Sequence, residues 1–337
     1  MAEKTAIEWT DHTANFWWGC VKVSPGCANC YAETWSKRYG RDIWGPAATT
    51  ARWRTKGPWR DILRWDTRAA ADGVRRRVFV QSMSDFFEEH PQLDEWRAEA
   101  CAILAGLKHL DVQLLTKRPE NIRRMTPAAW WEAWPAHIWI GASVENQEQA
   151  DRRIPLLLEV PAAVRFLSCE PLLGPIQLPY TLSWFDDKAW ASNAPPSTTL
   201  GLSAEPDNPI NWVIAGGESG PKARPMHPDW ARGLRDQCRE ADVPFHFKQW
   251  GEYCTTSYDM ATGQPVFRYF QNERQWIAKA HWISGGICVD ATGAILNNGA
   301  DFAAARYPVV IMHRVGKKRA GRLLDGREWN EFPETNQ

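Results

Sequence analysis

The chain has 337 residues, enough for one large domain or two modest ones, and its 44% hydrophobic and 24% charged content is that of a globular protein. Forty basic and forty acidic residues cancel, which excludes a global field drawing the protein to nucleic acid or to an acidic membrane and leaves only a local basic surface. The first residues lack a basic segment followed by an apolar run, and no stretch reaches membrane-spanning length, so a cytoplasmic protein with no membrane partner is expected.

The first distinctive stretch is GCVKVSPGCANCY, residues 19–31, which puts Cys20, Cys27 and Cys30 within eleven residues. The other five cysteines are scattered, and in a reducing compartment such a local group points to metal binding or chemistry rather than disulfides. Thiolates are soft ligands suited to zinc, copper or iron–sulfur clusters. Pro25-Gly26 supplies a turn before the C-x2-C pair, and Cys20 stands six intervening residues upstream. Two ligand sets stay open. Structural zinc wants a fourth protein ligand, for which His12, His90 or a distant cysteine are candidates. Three thiolates on a [4Fe–4S] cube would instead leave one iron free for a small molecule. Tyr31, next to the last cysteine, is placed to cover the metal or to contact an adenine.

Downstream the sequence alternates. Arg77–Gln81 reads as a strand followed by the polar turn Ser82–Asp85, and Asp94–Leu107 carries helical spacing. Val112–Thr116, Ile138–Gly141, Val164–Leu167, Trp212–Ala215 and Pro244–Lys248 read as further strands. Pro127–Trp134, Gln147–Leu157 and Trp230–Ala241 read as helices. Between residues 179 and 210, rich in proline, serine and acidic residues, the rhythm breaks, which predicts an insertion. Strand–helix alternation implies an α/β fold with a parallel sheet, here a partial or complete TIM-like (β/α) barrel. Gln81, Ser84, Asp85, Thr116, Lys117, Ser143, Glu145, Ser168, Glu170, Glu218 and Lys248 all follow strands, so a barrel would gather them at one rim. Twenty-one tryptophans predict a wide, partly wet cleft lined by aromatic surfaces. Residues 1–251 are expected to form the barrel, and 252–337 a small α+β or β-rich C-terminal appendage with a basic tail.

These features carry a resemblance. Trp9-Thr10-Asp11, Asn15, Trp18-Gly19-Cys20, Gly26-Cys27, Cys30-Tyr31-Ala32-Glu33, Thr116-Lys117-Arg118, Gly141–Glu145, Ser168–Pro171, Gly216–Gly220, Phe247–Gly251 and Leu324-Asp325-Gly326 resemble the phage-type Gp37/Gp68 three-cysteine-motif family (DUF5131) over nearly the full length. With the chain of βα units, the cysteine group also resembles radical S-adenosylmethionine enzymes and, more weakly, spore photoproduct lyase. The usual spacing there is C-x3-C-x2-C, whereas this chain has C-x6-C-x2-C.

The resemblance implies a bacterial or phage-encoded enzyme in which Cys20, Cys27 and Cys30 ligate a [4Fe–4S] cluster whose fourth iron chelates S-adenosylmethionine. One electron from a donor such as flavodoxin or ferredoxin would yield a 5′-deoxyadenosyl radical that takes a hydrogen from the substrate, with DNA, RNA or a nucleotide as the candidate. In this scheme Lys117 or Arg118 meets the cofactor carboxylate, and Glu145, Glu170 or Glu218 accepts from its ribose or amino group. Tyr31, Ser143 and Ser168 join them on the cofactor side, and Gly216 and Gly217 allow close backbone approach. Gln81, Ser84, Asp85 and Lys248 are the candidate catalytic groups. The rival reading is a zinc-containing nucleic-acid-binding module, supported by Arg75-Arg76-Arg77, the Lys317–Arg322 stretch and tryptophans able to stack bases. His227, His246 and Cys169 are expected to be structural.

Overall fold

A computed structural model describes residues 3–178 and 209–334, so the insertion expected at about 179–210 lies almost wholly outside the described residues. The N-terminal part contains β1 (His12–Ala14), β2 (Trp17–Trp18), α1 (Tyr31–Arg38), β3 (Trp53–Arg54), α2 (Pro58–Asp72), β4 (Arg76–Val80), α3 (Leu93–Gly106) and β5 (Leu110–Thr116). It continues with α4 (Ile122–Met125), α5 (Ala128–Glu132), β6 (Ile138–Ser143), α6 (Gln147–Leu158) and β7 (Arg165–Cys169). Next come β8 (Trp212–Gly216), α7 (Pro228–Glu240), β9 (Phe245–Gln249), β10 (Tyr253–Cys254), β11 (Tyr269–Phe270) and α8 (Glu273–Lys279). The described chain closes with β12 (Ile287–Val289), β13 (Ile295–Leu296), α9 (Gly299–Ala304), β14 (Val309–Arg314) and α10 (Lys317–Ala320).

Seven strands form one parallel sheet in the order β1-β4-β5-β6-β7-β8-β9. Neighbours follow chain order with no reversal, so the sheet curls into an open, TIM-like half-barrel rather than a doubly wound layer. Helices cover its convex face. In α2, Trp59, Ile62, Trp65 and Ala69 are buried at helical spacing, Pro58 begins the helix, and Gly73 ends it in a left-handed turn (φ 65°).

Side-chain parity separates the two faces. Val78, Val80, Val112, Leu114, Ile138, Ile140, Leu167, Val213 and Phe245 pack under the helices. The alternate residues point inward in rows across the sheet. Thr13, Phe79, Gln113 and Trp139 lie in one row, and Leu115, Gly141, Phe166 and Trp212 in the next. Trp9, Phe79, Trp139, Phe166 and Trp212 fill the amino end of the interior as an aromatic plug. Gly141 makes room for it: a Cβ there would lie 2.5 Å from the Phe166 ring. Here the structure corrects the expectation of a wet aromatic cleft. Among the described residues Trp35 is the exposed tryptophan, and the others are buried or half-buried.

The C-terminal part forms a separate antiparallel sheet, β10-β14-β12-β13, with β11 also on β14. Its tail returns to the barrel. Phe247 N–H donates to the Trp329 carbonyl, Trp212 Nε1 donates to the Glu331 carbonyl at 2.9 Å, and Phe332 lies against Trp212 and His246. Residues 329–332 therefore cover the edge of β9 and the foot of the plug, although the sequence groups them with the appendage.

Candidate functional site

Above the plug the inward rows turn polar. Ser143 pairs in register with Ser168, which pairs with Ile214. Lys117, one residue past β5, donates its Nζ to Ser143 Oγ at 3.1 Å. One step higher, Glu170 and Lys248 form an ion pair of 2.8 Å. Gly216 lies beside them, and a Cβ there would sit 3.1 Å from Glu170 Oε1. A side chain there would crowd the Glu170 carboxylate. Gly217 serves packing instead, since a Cβ there would collide with the Trp250 carbonyl. The expected polar rim is thus formed at the carboxyl edge, the end where barrels carry their chemistry.

The cysteine segment follows β1 and β2 and lies over this rim, held at two places. The first is the β4–β5 side. Gln81, buried with φ 69°, accepts from Phe16 N at 2.7 Å and donates to Ser84 Oγ at 2.8 Å. Asn15 accepts from Met83 N, and Ser84 Oγ donates to the Trp17 carbonyl. Asp85 accepts from Thr116 Oγ1, Lys117 N, Phe87 N and Arg118. Burial would push the Asp85 carboxyl up, but Arg118 and these donors outweigh it and hold it below its ordinary range. Arg118 in turn donates to the Val21 carbonyl at 2.7 Å and approaches Cys20 Sγ at 3.7 Å. Arg52, buried against Glu88 with contacts of 2.9 and 2.7 Å, also donates to the carbonyls of Ile43, Gly45 and Thr50. That fixes the segment whose Gly45 N–H donates to the Cys20 carbonyl.

The second seat is the β6–β8 side. Ser24 Oγ donates to Glu145 Oε1 at 2.6 Å, and Arg153 holds the other oxygen of this fully buried carboxylate at 2.8 Å. Gly26 lies flat on the same group, where any Cβ would fall 2.2 Å from Oε1. Glu218 accepts from Asn29 Nδ2 at 3.1 Å and from three nitrogens of Arg224, whose guanidinium also donates to the Pro25 carbonyl. Burial works against the Glu218 carboxylate, yet Arg224 and Asn29 keep its pKa below the ordinary value. Tyr31 donates its hydroxyl to the Ser82 carbonyl at 2.6 Å, which joins the start of α1 to the β4 loop.

All three loop thiols are free and half-buried, whereas Cys101, Cys169, Cys238, Cys254 and Cys288 are fully buried free thiols. Burial, with the charge of Glu88, pushes Cys20 up to about 12, against the pull of Arg118. Burial also raises Cys30, opposed by the N–H groups of Glu33 and Ala32 at the start of α1 and by Lys117. A bound cation would invert this balance, because a coordinated thiol is deprotonated outright. The donor set is all-thiol and soft, a chemistry that suits zinc and iron–sulfur clusters alike. Among the described residues, no group of three or more His, Cys, Asp or Glu has the arrangement of a metal-ion site. Neither weighed histidine is presented to the loop. His90 uses both ring nitrogens, on the Thr50 carbonyl and Gln92 N, and His12 sits in β1 stacked on Trp65 at 4.7 Å.

Sequence reasoning placed the rim residues together but missed their partners. Arg52, Arg153, Arg224, Ser24 and Asn29 carry much of the local hydrogen bonding. The one signal was the turn sequence around Ser24-Pro25-Gly26 and Asn29. His227 caps α7 by accepting from Asp229 N, and His246 is buried, its pKa lowered to about 3 by burial and nearby cations.

The family model described as "Protein of unknown function (DUF5131)" matches residues 4–333. No curated protein matches the chain. A solved structure of a spore photoproduct lyase mutant with dinucleoside spore photoproduct aligns at 10% identity and a TM-score of 0.37, covering 78% of this chain and 66% of that one. A likeness at that score says nothing of activity. No described helix is long and apolar enough to cross a membrane.

Proposed function

We propose, for a chain that belongs to the DUF5131 family of proteins of unknown function, the role of a radical S-adenosylmethionine enzyme acting on nucleic acid or a nucleotide. The observation that supports it is the set of three half-buried thiols on one loop over the polar carboxyl rim of a parallel half-barrel, beside Lys117 and Arg118. Cys20, Cys27 and Cys30 would hold a [4Fe–4S] cluster. When bound, that group supplies one-electron reduction of S-adenosylmethionine and, from it, hydrogen-atom abstraction.

The chain's own residues divide the remaining work. Arg118 donates to the Val21 carbonyl next to Cys20 and is already engaged with Asp85, so it is a positioning residue. Among the described residues Lys117 makes a single side-chain hydrogen bond, to Ser143, and keeps donors for a carboxylate. Glu170 and Lys248 offer one charge of each sign for polar groups of cofactor or substrate. The aromatic plug closes the amino end of the interior and keeps water from entering there. An anionic substrate is favoured by Lys222, Lys317, Lys318 and Arg319, all exposed. Their segments meet the rim where Arg314 donates to the Gly220 and Pro221 carbonyls and Trp250 N–H donates to the Gly321 carbonyl.

Anaerobic purification followed by iron, sulfide and zinc analysis, with EPR of the reduced protein, tests this reading. About four irons per chain and a spectrum altered by S-adenosylmethionine are expected. Stoichiometric zinc that persists through reconstitution, with no cofactor-sensitive signal, would overturn it in favour of a zinc-containing nucleic-acid-binding module.

A further inference from the structure

We infer that Glu145 and Glu218 are positioning residues that hold the Cys27–Cys30 half of the loop in place before any metal arrives. The inference rests on the reading that these thiols are ligands, and it reassigns two carboxylates that sequence places against the cofactor. Both are buried, and both face the loop. Glu145 takes the Ser24 hydroxyl on one oxygen and Arg153 on the other, with Gly26 pressed against it. Glu218 takes Asn29 and Arg224, and Arg224 adds the Pro25 carbonyl. Asn29 also donates to the Lys222 carbonyl at 2.8 Å. Ser24, Pro25, Gly26 and Asn29 are therefore all fixed from below, on both sides of Cys27.

Cys20 is held on the β4–β5 side, and residues 24–29 on the β6–β8 side. The first spacer therefore runs from one seat to the other and contains the tight turn Pro25–Cys27 before the second cysteine.

The test uses the full-length, metal-free chain, kept reduced, with iodoacetamide labelling of each cysteine followed by mass spectrometry. Glu145→Gln and Glu218→Gln remove the carboxylates. Ser24→Ala and Asn29→Ala remove the loop's side of the same contacts and leave the barrel untouched, so they decide the matter if a glutamine variant does not fold. Losing a hydrogen bond to a buried carboxylate is expected to speed labelling of Cys27 and Cys30 by about tenfold while Cys20 stays near the wild-type rate. Ser24→Thr, which keeps the hydroxyl, restores the wild-type pattern. Unchanged rates in all four variants, or equal acceleration of all three cysteines, would overturn the inference. Iron content of the wild type answers separately. The labelling pattern without a cluster leaves the seat standing and removes the cluster reading. A cluster with a flat labelling pattern does the reverse.

Discussion

The two ends of the barrel interior are built from the same strands and do opposite work. At the amino end, Phe79, Trp139, Phe166 and Trp212 interlock with Trp9 and exclude solvent. At the carboxyl end the same inward-facing positions carry Lys117, Ser143, Ser168, Glu170 and Lys248. Only the step along the strand differs. Stability is concentrated where the rows are aromatic, and the rows at the other end carry polar groups with hydrogen-bonding capacity to spare. Substitutions at the two ends should therefore fail in different ways.

The largest effect on stability is expected from Trp212→Ala. The ring is fully buried and lies 6.2 Å from both Trp9 and Trp139, 5.8 Å from Phe166 and 5.2 Å from Phe332. Its removal leaves a cavity that the surrounding rings fill poorly, at a cost of about 3–5 kcal/mol in urea unfolding. Iron uptake by the fraction that remains folded should be unchanged. A loss under about 1 kcal/mol would mean that the plug is not the barrel's core.

A smaller loss is expected at the rim, and it should depend on pH. Asp85 and Glu218 are held below their ordinary values of 3.8 and 4.5. Their contribution is fully present above that range and is lost as pH falls through it toward the lowered values. Glu218→Gln should cost about 1–2 kcal/mol at pH 7, because Arg224 loses its charged partner. It should also show a shallower fall between pH 5 and 3 than the wild type. Urea midpoints across that range check it, and parallel curves for the two proteins would show that Glu218 carries no such linkage.

Much of the fold was legible because period-2 runs bounded by polar turns mark strands wherever they are long enough. Each of β5 to β9 falls within two residues of its predicted limits, and α3, α6 and α7 follow their helical spacing. β1, β2 and β3 have three, two and two residues, too short for any period to register. The sequence reading also passes over α2, although Trp59, Ile62, Trp65 and Ala69 carry its spacing, because charged residues interrupt the run. At the site, strand-end position predicts which residues meet at the rim, but a residue's role depends on its partner. Glu145 reads from the sequence as a cofactor contact, and its partner Ser24 lies 121 residues away. Glu218 is bound to Asn29 across 189 residues. No local pattern encodes such pairs. The tryptophan count misleads for the same reason, since composition cannot distinguish a ring that lines a cleft from one that fills it.

Lys117 gives the smallest expected effect on stability and the sharpest contrast with Trp212. Its ammonium makes one side-chain hydrogen bond among the described residues, to Ser143, on a half-buried residue at the open end, so Lys117→Met should leave urea unfolding within about 0.5 kcal/mol of wild type. The thiol loop should keep its seat, because none of the contacts from Glu145, Glu218 or Arg118 runs through the lysine side chain. Iron content and the EPR spectrum of the reduced protein alone should therefore match the wild type. On the proposed function, the change produced by adding S-adenosylmethionine should require at least about tenfold more cofactor, since a charge-assisted bond to its carboxylate would be gone. Lys117→Arg, which keeps the charge on a bulkier head, should recover part of that response. An unchanged cofactor titration in Lys117→Met would remove the lysine from the binding site and leave Lys248, paired with Glu170, as the cation to test next.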